Sequence, residues 1–123
     1  MSTITRYPPP LPMPFSKAVR AGGFIFVSGQ LPMDGQGQII GEGVAEQTRI
    51  VLERIAATLA DCGASLADVV KVTTWLCDMD DFPAYNDEYR RHFTEGFPAR
   101  STVGAALYRG ARVEMEVQAW VGG

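Results

Sequence analysis

The sequence holds one histidine, His92, and two cysteines, Cys62 and Cys77. A zinc centre takes three or four Cys, His or carboxylate ligands, and no CxxC or HxxxH pair is present. Metal catalysis is therefore set aside, including the zinc-activated water of nucleobase deaminases, and no residue is assigned to a metal. Two cysteines in 123 residues do not make a disulfide scaffold; reduced thiols in a cytosolic protein are the plainer reading. Basic runs stop at Arg90-Arg91, and 11 Lys and Arg against 14 Asp and Glu leave a net charge of -3, with a pI of about 5.0. Such a balance exerts no general pull toward nucleic acid or an anionic membrane, and neither is expected as a partner. No apolar run approaches a membrane span, and Met1–Tyr7 carries no signal-peptide core, so a cytoplasmic location is the expectation.

What is present is an ordinary core-forming composition, 46% hydrophobic and 20% charged, in a length that suits one domain, residues 1–123. Pro8 to Pro14 holds five prolines; without N–H groups they read as an extended surface arm that delivers Phe15 and Ser16. Gly22-Gly23 sits between two apolar runs, a hairpin signal leading into Phe24–Gln30. That run is apolar on both faces, as in a central strand, and Gly29 near its end permits close backbone approach. A short strand is expected at residues 38–40. The best helix runs from Gly43 to Asp61, with Thr48, Leu52, Ile55 and Leu59 on one stripe and Gly63 beyond its end. Residues 69–76 read as a β-branched strand with Val70, Val72, Thr74 and Leu76 on one face. A second helix starts after Asp80 or Asp81, with Pro83 in its first turn, and runs to about His92. Its Phe82, Tyr85, Tyr89 and Phe93 form a stripe that reads as core.

Two strands close the chain, residues 101–108 and 112–121, joined by a turn at Tyr108-Arg109-Gly110. On the last strand Val113, Met115, Val117, Ala119 and Val121 alternate with Glu114, Glu116, Gln118 and Trp120. A polar face bearing a tryptophan invites self-association, though a solvated face with one stray aromatic is as good a reading. Arg100, released by the Gly96 and Pro98 turn, could bind a carboxylate through both arms of its fork. From the residues alone an ordinary surface salt bridge is the default for Arg100, and a solvated acid for Glu116. Residue pattern thus implies an α+β domain, a mixed β-sheet with two helices on one face, and a candidate anion site.

Several segments together resemble the Rid (YjgF-like, reactive intermediate deaminase) family, in order and over nearly the whole chain. They are Phe15-Ser16-Lys17-Ala18-Val19, Phe26-Val27-Ser28-Gly29-Gln30, Glu46-Gln47-Thr48, and Asp78-Met79-Asp80-Asp81-Phe82 with Asn86 and Tyr89. Pro98-Ala99-Arg100-Ser101 before Val113-Glu114-Met115-Glu116 is the most specific of them. The resemblance implies a chorismate-mutase-like fold, a homotrimer around a central barrel, and clefts between subunits. It implies hydrolysis of 2-imino acids of the 2-aminoacrylate type to 2-keto acids and ammonia, with neither metal nor cofactor. Carried over residue by residue, Arg100 clamps the substrate carboxylate and Glu116 positions the attacking water. Thr102 offers a backbone carbonyl, Phe15, Ser28 and Gly29 wall the cleft, and Asn86 of the second-helix motif joins them in binding substrate. Phe15 departs from a tyrosine common in deaminating members, Lys17 from a glutamine, and Tyr108-Arg109-Gly110 from an LPKD-like turn, which bears on substrate range. Three other readings stand beside it: a non-catalytic binder of small carboxylates, a pathway-specific enzyme such as an aminomuconate deaminase, and the ribonuclease activity described for some relatives, which the acidic pI disfavours.

Overall fold

The computed structural model describes residues 4–122. It begins with a strand that the sequence reading does not contain, β1 (Ile4–Tyr7), antiparallel to β2 (Ala18–Ala21). The proline arm loops out between them and returns where the Lys17 amide donates to the Tyr7 carbonyl at 2.8 Å. Gly22 and Gly23 then turn β2 into β3 (Phe24–Gln30), with Ala21 opposite Phe24. Gly22 has φ +60°, a left-handed conformation that glycine adopts without strain. The short strand expected at residues 38–40 reduces to a single bridge between Met33 and Ile39.

Helix α1 has the expected bounds, Gly43–Asp61. Thr48, Val51, Leu52, Ile55 and Leu59 on its inner stripe are fully buried. Gly63, at φ +79°, ends it: the Gly63 amide donates to the Ala60 carbonyl and the Ala64 amide to the Leu59 carbonyl, the paired bonds of a left-handed C-terminal cap. Strand β4 (Val69–Leu76) departs from simple alternation. Val69 faces Ala119 and Lys71 faces Gln118, so Val70 is an extra residue in a bulge. Val72, Thr74 and Leu76 are buried as expected, but Val70 is turned out to solvent and Val69 takes the inner position.

Helix α2 (Phe82–Arg90) stops two residues short of His92. Pro83 lies in its first turn, as read, but no Asp81 side chain caps it. Asp81 instead makes two hydrogen bonds of 3.0 Å with the Arg112 guanidinium, and Asp78 accepts from the Asp80 amide in the turn just before. The last two strands are β5 (Ala99–Gly104) and β6 (Val113–Trp120). The sequence places them side by side across a turn; the sheet does not. Its order is β1-β2-β3-β6-β4-β5, with β5 parallel to β4 at the edge and β6 in the middle, antiparallel to both neighbours. Of the five hydrophobic residues expected to face inward from the last strand, Val113, Met115, Val117 and Ala119 are each at most 2% exposed, and Val121, just past β6, is partly buried against the same core.

This is a mixed α+β domain with both helices on one face of a six-stranded sheet. The core lies between: Ile25 and Val27 of β3, the buried residues of β4 and β6, the α1 stripe, and Tyr85, Tyr89 and Phe93. The other face is uncovered within the chain. There Phe24 stands opposite Trp120 with ring centroids 4.8 Å apart, and Phe24, Phe26 and Trp120 are 42%, 42% and 44% exposed.

Candidate functional site

The parallel register of β4 and β5 decides where Arg100 goes. Arg100 lies abreast of Val72, and Thr102 abreast of Thr74. Val72 and Thr74 point under the helices, so Arg100 and Thr102 do as well. The Arg100 guanidinium carbon sits 4.7 Å from the Tyr89 ring centre, 5.1 Å from that of Tyr85 and 5.6 Å from that of Phe82. The aromatic stripe read as core is core, and it is also a shelf for the arginine. Tyr85 is fixed by a 2.6 Å bond between its hydroxyl and Thr74 Oγ1. Burial pushes the Tyr85 phenol up, an effect the Thr74 bond and the Arg100 charge partly offset. Burial, helped by the neighbouring Tyr85, pushes Tyr89 well above the tyrosine range. Both rings are therefore neutral phenols at neutral pH, with electron-rich faces toward the cation.

Arg100 has no carboxylate partner among the described residues, so the surface salt bridge that pattern alone favoured is not formed. A cavity of about 370 Å³ opens beside it, lined by Asn86, Tyr89, Arg90, Phe97, Pro98 and Arg100. Three polar atoms around this arginine are buried without a hydrogen-bond partner among the described residues: Asn86 Oδ1, Tyr89 Oη and Thr102 Oγ1. Unpaired polar atoms are rare in protein interiors; here they gather near a cation that has no carboxylate partner and lines a cavity. Of the residues carried over from the family motif, Asn86 lines this cavity with Arg100, and Thr102 lies two residues on along the same face of β5.

The other expected residues lie elsewhere. Glu116 stands opposite Thr73 and Glu114 opposite Trp75, both on the uncovered face. Within one chain Arg100 and Glu116 sit on opposite faces of the sheet with β4 between their strands, so they do not converge. A second cavity, about 680 Å³, takes in Phe15, Gly29, Arg54, Tyr108 and Glu114. Gly29 leaves room for the Glu114 carboxylate: a Cβ there would run into Glu114 Oε2 and turn that side chain aside. Ser28 ties the arm down, since its hydroxyl donates to the Ser16 carbonyl at 2.6 Å, and this sets where the half-exposed Phe15 stands.

Glu114 is the residue the sequence reading passed over; the period of two already put it on the Glu116 face, and its place beside Gly29 came only with the structure. Burial, then the charge of Glu116, raises its carboxyl above the ordinary 4.5. A raised folded-state value means the native protein holds a proton that the unfolded chain has released, so this group lowers stability as pH rises through the window above 4.5. Glu114→Gln is expected to raise the melting temperature at pH 7, with the gain vanishing below the unfolded carboxylate value. Melts from pH 3.5 to 8 check this; a variant less stable than wild type at pH 7 and equal at pH 3.5 would reverse the sign. His92, the lone imidazole, is occupied by Glu88 at 2.8 Å. Among the described residues no cluster of His, Cys, Asp and Glu could hold a metal, and no helix is long and apolar enough to cross a membrane.

Comparison with known proteins fits this geometry. Residues 8–121 match the family model described as Endoribonuclease L-PSP. A RutC family protein of Pyrococcus abyssi is 45% identical over 109 residues, covering 87% of this chain and 86% of the relative. A protein of Bos taurus named 2-iminobutanoate/2-iminopropanoate deaminase is 43% identical over 105 residues, 84% of this chain and 77% of its own. Among solved structures, E. coli TdcF with bound serine superposes with a TM-score of 0.83 at 33% identity, covering 94% of this chain and 93% of that one. A match over nearly the full length, in sequence and in fold, makes this chain a member of the Rid (YjgF-like) family.

Proposed function

We propose that this protein hydrolyses 2-imino acids and their enamine tautomers to 2-keto acids and ammonia. The observation that carries the reading is Arg100: a guanidinium held on three rings, with no carboxylate partner among the described residues, at the wall of a cavity. An imino acid presents a carboxylate next to an electrophilic C=N. Arg100 takes the carboxylate through its fork and fixes the imine carbon in place. Water adds to that carbon while Glu116 holds the water and accepts its proton, and the Thr102 carbonyl helps to orient it. Glu116 returns that proton to nitrogen to complete the carbinolamine, then carries the carbinolamine's hydroxyl proton to the same nitrogen; the C–N bond breaks as the C=O forms, and ammonia leaves with the keto acid. The naming of a bovine relative as 2-iminobutanoate/2-iminopropanoate deaminase and the serine bound to a structural relative both support a small amino-acid-like ligand.

Since Arg100 and Glu116 face apart in one chain, the reading includes assembly. A homotrimer whose sheets meet through the Phe24, Phe26 and Trp120 face would bring the acid of one copy to the arginine of the next, in a cleft between subunits. Nucleic acid is not the proposed substrate: the net charge is -3 and the one imidazole is spent on Glu88. The test generates imines with an amino-acid oxidase in the presence of semicarbazide. Added protein is expected to lower the semicarbazone yield and raise the keto acid. Unchanged yields for alanine, 2-aminobutyrate, leucine and methionine together would remove the imine-hydrolysis reading and leave a carboxylate-binding protein.

A further inference from the structure

The cavity beside Arg100 is lined by a second guanidinium, that of Arg90, which belongs to none of the motifs quoted for the family. Asn86, Tyr89 and Arg90 fall within one turn of α2 and share its cavity side. The basic residues at the end of this helix divide. His92 Nε2 lies 2.8 Å from Glu88 Oε2, and Arg91 Nη1 donates to Glu88 Oε1 at 3.4 Å. Arg90 lines the cavity instead. Its ion pair with Asp87 is long, 3.9 Å from Nε to Oδ1, between side chains 59% and 75% exposed. Such a contact contributes little and leaves the outer N–H groups of the fork to another anion. The rest of the polar lining includes a donor without a partner. Tyr89 is 4% exposed and its hydroxyl is unpaired among the described residues; held as a neutral phenol, it has a proton to share. No Asp or Glu lines the cavity among the described residues. Two like charges therefore border one space of about 370 Å³ without a protein anion lining it. Their repulsion is relieved by a ligand that carries negative charge at two points.

We infer that Arg90 is a specificity-determining residue and that this cavity takes short dicarboxylates, so that the preferred substrates are 2-imino dicarboxylic acids of the kind formed from aspartate and glutamate. Arg100 holds the carboxylate beside the imine and Arg90 the one at the far end. The inference rests on the imine-hydrolysis reading and names its substrate class. The cavity lies in the range of small-ligand sites, about 300–1,000 Å³, which admits a short diacid. Each arginine presents a planar fork suited to one carboxylate. A monocarboxylate fills one fork and leaves the other cation facing it, so the diacid is selected by a contact that the shorter ligand cannot make.

The experiment titrates the full-length protein with 2-oxoglutarate and with 2-oxobutanoate, the products of a dicarboxylic and a monocarboxylic imine, by isothermal calorimetry. 2-Oxoglutarate is expected to bind about tenfold more tightly, the gain of one further charge-assisted contact, and the lead should shrink at high salt. Arg90→Gln, at an exposed position on the last turn of α2 that the core does not need, is expected to bring the ratio of the two affinities to within about twofold. Arg90→Lys keeps the charge and should retain part of the lead. Inorganic phosphate is expected to compete weakly, because its charges sit at one point and do not span two guanidiniums. Equal affinity for the two keto acids, or a lead that survives in Arg90→Gln, would overturn the inference and leave the Arg100 clamp standing. Phosphate that binds as tightly as 2-oxoglutarate would also overturn it, by showing a site for any dianion. Failure of every keto acid to bind would remove the clamp and this inference together.

Discussion

Replacing Arg100 with alanine is expected to lower kcat/KM for imine hydrolysis about 100-fold or more. Two hydrogen bonds between a guanidinium and a carboxylate are each worth at least about 1.5 kcal/mol, and each 1.36 kcal/mol is a factor of about ten in rate. Arg100→Lys keeps the charge but has a single donor point in place of the fork and stacks less well on Tyr85 and Tyr89. It is expected to retain more activity than the alanine variant yet fall clearly below wild type. The loss should be steeper for substrate binding than for protein stability. The stack on the three rings contributes about 0.5–2 kcal/mol, so a modest drop in melting temperature accompanies the alanine variant. Single-turnover kinetics with titration of a keto acid separate the two effects. Keto-acid affinity unchanged in Arg100→Ala would sink the clamp, whatever the melting temperature does.

The second large effect concerns the uncovered sheet face. On the proposed assembly, Phe26→Asp is expected to turn a trimer into monomers and to abolish activity with it. The position is 42% exposed within the chain and contributes nothing to the helix-side core, so the isolated copy should keep its secondary structure by circular dichroism. Burying a phenylalanine is worth about 1.5–3 kcal/mol, and a carboxylate forced into the same dry interface opposes association by several kcal/mol more. Together they raise the dissociation constant by well over a hundredfold. Sedimentation velocity at micromolar concentration gives the assembly state directly. A variant that stays assembled would show that this face is not the interface. One that is monomeric with full activity would show that the site needs no second copy.

Periodicity made most of the fold legible, and it failed where pairing over long distance decides the outcome. The α1 bounds follow from its stripe and from Gly63, both local signals. The alternation along β6 put Glu114 and Glu116 on one face correctly. Pattern could not tell that β6 inserts between β3 and β4, because a turn at Tyr108–Gly110 looks the same whether it closes a hairpin or leads across the sheet. The Val70 bulge escaped for a related reason: a run of β-branched residues gives no sign of an extra residue until its partner strand is known. The proposed pairing of Arg100 with Glu116 came from a motif and not from geometry, and one chain turns the two apart. The resemblance supplied the candidate site; the cation shelf and the three buried unpaired oxygens around it came only with the structure.

The opposite-face placement of Arg100 and Glu116 bears on inheritance as much as on chemistry. On the proposed assembly each copy lends its arginine to one neighbour and its acid to the other. No chain then owns a working site, and none suffers its own defect alone. A damaged arginine silences a site whose acid belongs to a sound neighbour. Two chains with different lesions, one lacking the arginine and the other the acid, can restore a site by sharing a ring. Selection on such a protein acts on the ring, and a single gene copy with either lesion is partly covered by its partner allele.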